Sequence, residues 1–209
     1  PTYDIDKFTI MYNFWGGAQW PGGTVDPKKN IVYVTSHDLP VKFKVFSSFD
    51  ATKKTNLKTN YLDIGKNNKL DDLEGFPGIK PPWGSLTAIN LNSGKIIWQS
   101  PLGYFEKLKK KGFPDTGTAN FGGATATAGN LVFVGGTLDK LIRAYDAETG
   151  EEIWSHKLPY IGSAPPTIYE AKGEQFVIIP ATGGMSLARI YPDLVEQGDA
   201  FVAFKLKKN

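Results

Sequence analysis

Short apolar runs recur along the chain between turn-forming residues, at spacings that repeat. Ile31–Val34 (IVYV) and Leu131–Val134 (LVFV) are β-branched or aromatic, and each follows a polar turn, which predicts two buried strands. Leu86–Asn90 and Ile142–Asp146 are predicted to be the next strands, closing on Asn90 before Ser93-Gly94 and on Asp146 before Thr149-Gly150. That sequence turns the chain, because the Asn or Asp oxygen accepts backbone N–H groups and glycine takes φ > 0. The segments KIIW (95–98) and EEIW (151–154) then return as strands that end in Trp98 and Trp154. No long stretch carries a helical period.

The unit is a repeat. LTAINLNSGKIIW (86–98) matches the chain through RAYDAETGEEIW (143–154), and FVAFKL carries a third copy of the alanine. The alanines stand at 88, 144 and 203, spacings of 56 and 59. An earlier part repeats as well: GGTVDPKKNIVYV (22–34) corresponds position by position to GGATATAGNLVFV (122–134), 100 residues on. That separation is one 56-residue period plus an insertion of 44, placed between Val34 and Ala88 at about 41–82. The polar, Asn- and Lys-rich stretch Asp50–Gly75 is its main body. The third unit opens with SAPPTIYEAKGEQFVII at Ser163.

A period of this size signals stacked supersecondary units. Each unit reads as a small antiparallel sheet in which Ala lets a strand approach its neighbour, Asp and Gly make the turn, and Trp covers the gap to the adjacent unit. The fold class is therefore all-β, with propeller blades of the tryptophan-docking type. The blades are expected at 1–104 with the insertion, 105–160 and 161–209. Three blades do not close a ring, since roughly four to eight are needed to remove the sheet edges. The chain is read either as part of a larger propeller or as a small protein that closes by oligomerising.

Composition supports the β reading and narrows the chemistry. Of 209 residues, 23 are Gly and 14 Pro, and 13% are aromatic, which suits many short strands and turns. A formal charge of +3 is too weak to imply nucleic acid, and Lys107–Lys111 (KLKKK) is read as a solvated loop. No stretch reaches the roughly 18 apolar residues a membrane helix needs. The absence of cysteine removes disulfides and thiolate metal sites. The opening PTYDIDKFTI has neither the charged start nor the apolar segment of an export signal, so any such signal lies outside this sequence.

Few residues advertise chemistry by themselves. Trp20, Trp83, Trp98 and Trp154 are read as blade-packing residues, while Trp15 stands beside the Gly16-Gly17 turn at a possible ligand-facing strand end. His37 and His156 are isolated in sequence and read as surface or structural residues. Asp71, Asp72 and Glu74 lack the spacing of a calcium loop. No Gly-x-Gly-x-x-Gly opens a helix, so nicotinamide binding has no support.

Four segments, GGAQWPGGTVDP, PPWGSLTAINLNSGKIIW, FGGATATAGNLVFVGGTLDKLIRAYDAETGEEIW and GDAFVAFKL, together cover most of the chain outside the insertion. They resemble the C-terminal end of the quinoprotein dehydrogenases that depend on pyrroloquinoline quinone (PQQ), the membrane-bound glucose and sugar dehydrogenases above all. The resemblance implies about three blades of an eight-bladed propeller, PQQ near its axis and Ca²⁺ against the quinone oxygens. It implies a periplasmic oxidation of a sugar or alcohol, with electrons passed to ubiquinone or a cytochrome. It also implies that the metal ligands and catalytic base lie in earlier blades, so that the remaining blades of the parent propeller are obligatory partners. Of the pocket positions, Thr35 followed by Ser36 stands where the family has an Asn that bonds the quinone. Phe121 matches the aromatic before Gly-Gly, and Met185 replaces a His near the sugar. These departures leave two functions open, an oxidase and a non-catalytic propeller that serves as a scaffold or binding module.

Overall fold

A computed structural model describes residues 8–12, 15–18, 20–46, 61–63 and 69–206. Along the chain run β1 (Phe8–Met11), β2 (Thr24–Asp26), β3 (Ile31–His37), β4 (Val41–Phe46), β5 (Tyr61–Asp63), β6 (Gly84–Asn90) and β7 (Ile96–Pro101). After α1 (Glu106–Lys110) come β8 (Ala124–Ala126), β9 (Leu131–Val134), β10 (Leu141–Asp146) and β11 (Glu152–Lys157). The chain then forms β12 (Thr167–Ala171), β13 (Glu174–Ala181), α2 (Met185–Ile190) and β14 (Ala200–Lys205). The fold is all-β.

The residues fall into two compact units. One is drawn from Pro1–Trp15 and Asp38–Lys80, the other from Gly16–His37 and Pro81–Asn209. In the first unit β4 lies between β1 and β5, all antiparallel. The N-terminal segment thus groups with the inserted segment, although it was expected to belong to the first blade. Much of Asp50–Gly75 (50–60 and 64–68) lies outside the described residues. Within the rest of it, Asp72 Oδ1 accepts the backbone N–H groups of Glu74 (2.8 Å) and Phe76 (3.0 Å), which makes a turn.

The second unit holds three antiparallel sheets, β2-β3-β6-β7, β8-β9-β10-β11 and β12-β13-β14. The insertion leaves the first sheet between β3 and β6, which still pair along their whole length from Ile31–Asn90 to His37–Gly84. The reason for the repeated alanine is visible in the register. Ala88 stands opposite Tyr33 on one side and Trp98 on the other, and those rings meet across it with centroids 5.8 Å apart. Ala144 likewise stands between Phe133 and Trp154, centroids 6.4 Å apart. A larger side chain would hold the rings apart. Both sheets carry the same register shift immediately after the alanine.

The turns are repeated as closely. Asn90 Oδ1 accepts the N–H groups of Asn92 and Ser93, and Asp146 Oδ1 those of Glu148 and Thr149. Asp26 Oδ1 does the same for Lys28 and Lys29. These bonds hold the Asp146 carboxyl below the usual carboxylate range.

Alternation along each strand puts one set of side chains in each seam between sheets. Ile31, Tyr33, Leu86 and Ala88 meet Val132, Val134, Tyr145 and Ala147 in the first seam. Ile142, Leu158, Val177 and Ile179 fill the second, with Phe133, Val202 and Phe204 packed against them. Trp98 crosses the first seam, and its Nε1–H donates to the Ala147 carbonyl at 3.1 Å while Ser100 Oγ donates to the Gly150 carbonyl at 2.6 Å. Trp154 is 37% exposed yet packs edge-on to Phe204 (5.1 Å) and stacks on His156. Trp83 is buried against Phe105.

Two expectations change. Strands β7 and β11 run three residues beyond their tryptophans, to Pro101 and Lys157, because they keep pairing with the inner strand to its end, Pro101 opposite Ser85 and Lys157 opposite Leu141. The segment Lys107–Lys111, expected to be a loop, is mostly the exposed helix α1, whose last turn is rich in lysine. Positive side chains there oppose the negative helix end.

Candidate functional site

The turns that follow β9 and β13 and the segments leading into the second and third sheets converge on a cleft of about 260 Å³. Trp20, Phe121, Ile161, Ser163, Thr182, Met185 and Ser186 line it, together with Gly122, Gly136, Gly162 and Gly184. The glycines are required by backbone approach. Gly136 has φ +88°, and a Cβ there would lie 2.2 Å from the Gly122 nitrogen. Nothing larger fits where these two chains touch.

Two of the residues singled out from sequence come together here. Phe121 is 7% exposed, and Met185, the first residue of α2, is 69% exposed. Ser163 and Thr182 add a hydroxyl pair 2.6 Å apart. Trp20 corrects its assignment as a packing residue: it is 76% exposed and forms part of the cleft wall. Its signal was present in the repeat, since Trp20 precedes Gly22-Gly23 much as Phe121 precedes Gly122-Gly123. Arg189 was also missed. Its Nη2 donates to Met185 Sδ at 3.6 Å, which puts a cation beside the cleft residue at one helical turn's spacing.

Thr35 and Ser36 do not line the cleft. Thr35 is buried, and its Oγ1 donates to the Gly122 carbonyl at 3.4 Å. The Ser36 carbonyl accepts Asn120 Nδ2–H at 2.8 Å. His37 extends the pattern. Its Nδ1 donates to the Asn120 carbonyl at 3.1 Å, and its ring lies 5.0 Å from that of Phe121. Burial, only partly offset by that bond, lowers the His37 pKa to about 4. Asn120 is fully buried, and its Oδ1 has no hydrogen-bond partner.

The donor set fits part of a planar, carboxylated aromatic cofactor. Trp20 and Phe121 offer aromatic surface, the Ser163, Thr182 and Ser186 hydroxyls offer hydrogen bonds, and Arg189 offers a positive charge beside Met185. Among the described residues no group of three or more His, Asp and Glu is placed to hold a metal ion.

A second, polar hollow of about 330 Å³ lies around Tyr104, Lys109, Arg143 and Glu152. Arg143 is buried there and bonds both oxygens of Asp139, Thr137 Oγ1 (3.1 Å) and Glu152 Oε2 (2.9 Å). Tyr104 N donates to Asp139 at 3.1 Å, so this network ties the turn after β7 to the second sheet. These carboxylates hold the guanidinium charge against burial.

The sheets, their docking tryptophans and the glycine-walled cleft define a quinoprotein-type propeller. A family model described as "PQQ: Glucose/ethanol/alcohol dehydrogenase, beta-propeller domain" matches residues 3–177, and the chain belongs to that family. It is 42% identical to the glycerol dehydrogenase large subunit of Gluconobacter thailandicus over 86% of the chain and 28% of that protein. It is 33% identical to the quinoprotein glucose dehydrogenase of Escherichia coli (strain K12) over 91% of the chain and 26% of that protein. The chain spans little more than a quarter of the length of these curated relatives. Among solved structures, the europium-containing methanol dehydrogenase matches 97% of the chain and 36% of its own with a TM-score of 0.68 at 16% identity. The quinohemoprotein alcohol dehydrogenase of Pseudomonas putida HK5 matches 92% of the chain and 27% of its own with a TM-score of 0.64 at 24% identity. Both likenesses concern the fold. The family implies PQQ, with calcium as its usual companion.

Proposed function

We propose that the chain forms one wall of the PQQ site in a propeller that oxidises a sugar or alcohol. The observation that carries this reading is the meeting of Trp20, Phe121 and Met185 in one cleft, with hydroxyl side chains and glycine backbone among its other walls. When bound, PQQ supplies a quinone that takes two electrons from a substrate C–H bond. The chain's own part is to bind and to exclude water. Trp20 and Phe121 offer flat apolar surface, and the Ser163, Thr182 and Ser186 hydroxyls orient polar atoms. Arg189, beside Met185, is suited to a carboxylate. Met185 offers a polarizable thioether to the substrate side of the cleft.

Blades outside this chain are the proposed partners, and the first sheet offers them a docking place. The Trp98 indole covers Gly150, whereas nothing lies within 4 Å of a Cβ built on Gly94, the same position one repeat earlier. The Ca²⁺ ligands and catalytic base are assigned to those blades. The relatives' names suggest glucose, glycerol or a similar polyol as substrate; the proposed compartment is the periplasm, and the proposed acceptor ubiquinone or a cytochrome.

The test is reconstitution of the protein with PQQ and Ca²⁺, followed by dye reduction with aldoses, glycerol and simple alcohols. Dye reduction together with cofactor absorbance is the expected result. Neither signal with any substrate would overturn the oxidase reading and leave the propeller a scaffold.

A further inference from the structure

The side chains of β3 that face the second sheet are Ile31, Tyr33, Thr35 and His37, all buried. The last two, with Ser36 between them, bond one short segment of the neighbouring blade. Thr35 Oγ1 donates to the Gly122 carbonyl, Asn120 Nδ2 to the Ser36 carbonyl, and His37 Nδ1 to the Asn120 carbonyl. The residue enclosed by these bonds is Phe121.

The repeat does not demand this arrangement. One hundred residues on, the same positions are Gly135, Gly136 and Thr137; the glycines have no side chain to bond the next blade, and Thr137 Oγ1 donates to Asp139 of its own sheet at 2.6 Å. Polar groups at the first seam are costly by comparison. The His37 imidazole is taken out of water, and Asn120 Oδ1 is left without a hydrogen bond. A seam that needed only to be held would be cheaper in hydrocarbon. Directed bonds give something else, a single orientation for the segment they hold.

We infer that residues 35–37 form a clamp in which His37 is a positioning residue for Phe121, fixing that ring in the wall of the cleft. His37 acts twice on this ring: its N–H holds the carbonyl of the preceding residue, and its own ring packs beside the phenyl, tilted at 59° with centroids 5.0 Å apart. Because the partner is a carbonyl, the imidazole acts as the Nδ1–H tautomer. Thr35 and Ser36 then serve the ligand through Phe121, without touching it. The link to cofactor binding rests on the proposed function, whereas the clamp itself does not.

The test replaces Phe121 with 4-fluorophenylalanine and compares the wild-type protein with His37→Asn, which keeps an N–H donor near Nδ1, and with His37→Leu, which keeps bulk alone. The fluorine line is expected to move or broaden in His37→Leu and to stay in place in His37→Asn. Added PQQ, followed by tryptophan emission, should bind about tenfold more weakly to His37→Leu, the equivalent of one buried hydrogen bond, and within about threefold of wild type to His37→Asn. A fluorine spectrum unchanged in His37→Leu, or equally disturbed in both variants, overturns the clamp. Should His37→Leu fail to fold by circular dichroism, Thr35→Val removes one clamp hydroxyl at constant shape, and an unmoved fluorine line there overturns it too. If the wild-type protein binds no PQQ, the cofactor reading falls, while the fluorine comparison still decides the clamp.

Discussion

The indole of Trp98 rests on the backbone of Gly150 so closely that a Cβ on Gly150 would fall 2.5 Å from Cε3 of the ring. Gly150 also has φ +73°, so substitution there meets two penalties. Gly94 has φ +69° but open space. We expect Gly94→Ala to cost about 1 kcal/mol from backbone strain alone, and Gly150→Ala about 2–4 kcal/mol, as the clash adds to the strain. Urea unfolding of the two variants side by side checks the difference.

The Ala147 carbonyl receives two donors across the first seam, Trp98 Nε1–H and Tyr33 Oη–H, each at 3.1 Å. Either bond satisfies the buried oxygen. Trp98→Phe and Tyr33→Phe are therefore each expected to cost about 1 kcal/mol, while the double variant exceeds their sum by about 1 kcal/mol because the carbonyl is then orphaned. A double-mutant cycle in denaturant measures that excess.

Asp139 and Arg143 form a buried pair whose carboxylate also holds Tyr104 N and Leu141 N. Asp139→Ala leaves the guanidinium with Glu152 and Thr137 alone, and a loss of about 3–5 kcal/mol is expected. Arg143→Met in the same background should recover part of it, which thermal unfolding at fixed pH would show.

His37 makes stability depend on pH in a defined window. Its folded value of about 4 lies below the ordinary 6.5, so the unfolded chain takes up the proton first as pH falls. The contribution is complete above about pH 6.5, declines down to about pH 4 and is lost below that, with a total of roughly 3 kcal/mol at most. Denaturation midpoints of wild type and His37→Asn at pH 7 and pH 4.5 should converge at the lower pH.

Trp20 is exposed and bears no part of the core, so Trp20→Ala should leave the unfolding midpoint unchanged. The same variant is expected to weaken PQQ binding by about 1–2 kcal/mol through lost aromatic contact, read by equilibrium dialysis. Unaltered affinity would remove Trp20 from the site.

The repeat was legible because it is written in residues with a single structural use. Asn90 and Asp146 cap turns, Gly94 and Gly150 occupy positive φ, and Ala88 and Ala144 let paired rings meet. The cleft was legible only in part. Phe121 and Met185, marked by their Gly-Gly neighbours, line it, but a one-residue alternation decides where a strand-end side chain points. Thr35 lies on the face of β3 directed at the next sheet, and its neighbours along the strand do not reveal that the seam lies there. Arg189 meets Met185 through a helix of six residues, too short to leave a period in the sequence. Trp20 shared the aromatic-before-glycine pattern with Phe121, yet Pro21 displaces it by one residue and obscured the match.

The placement of the insertion bears on how the blades assemble. Strands β9 and β10 are joined through residues 135–140, whereas β3 and β6 are joined through residues 38–83. Loop entropy rises by about 0.6 kcal/mol per doubling of length, so closing the β3–β6 pair costs roughly 2 kcal/mol more. The second sheet has the lower contact order and should act as the nucleus on which the first zips up, which makes β9–β10 the segment whose substitutions slow folding and β3–β6 the segment whose substitutions hasten unfolding.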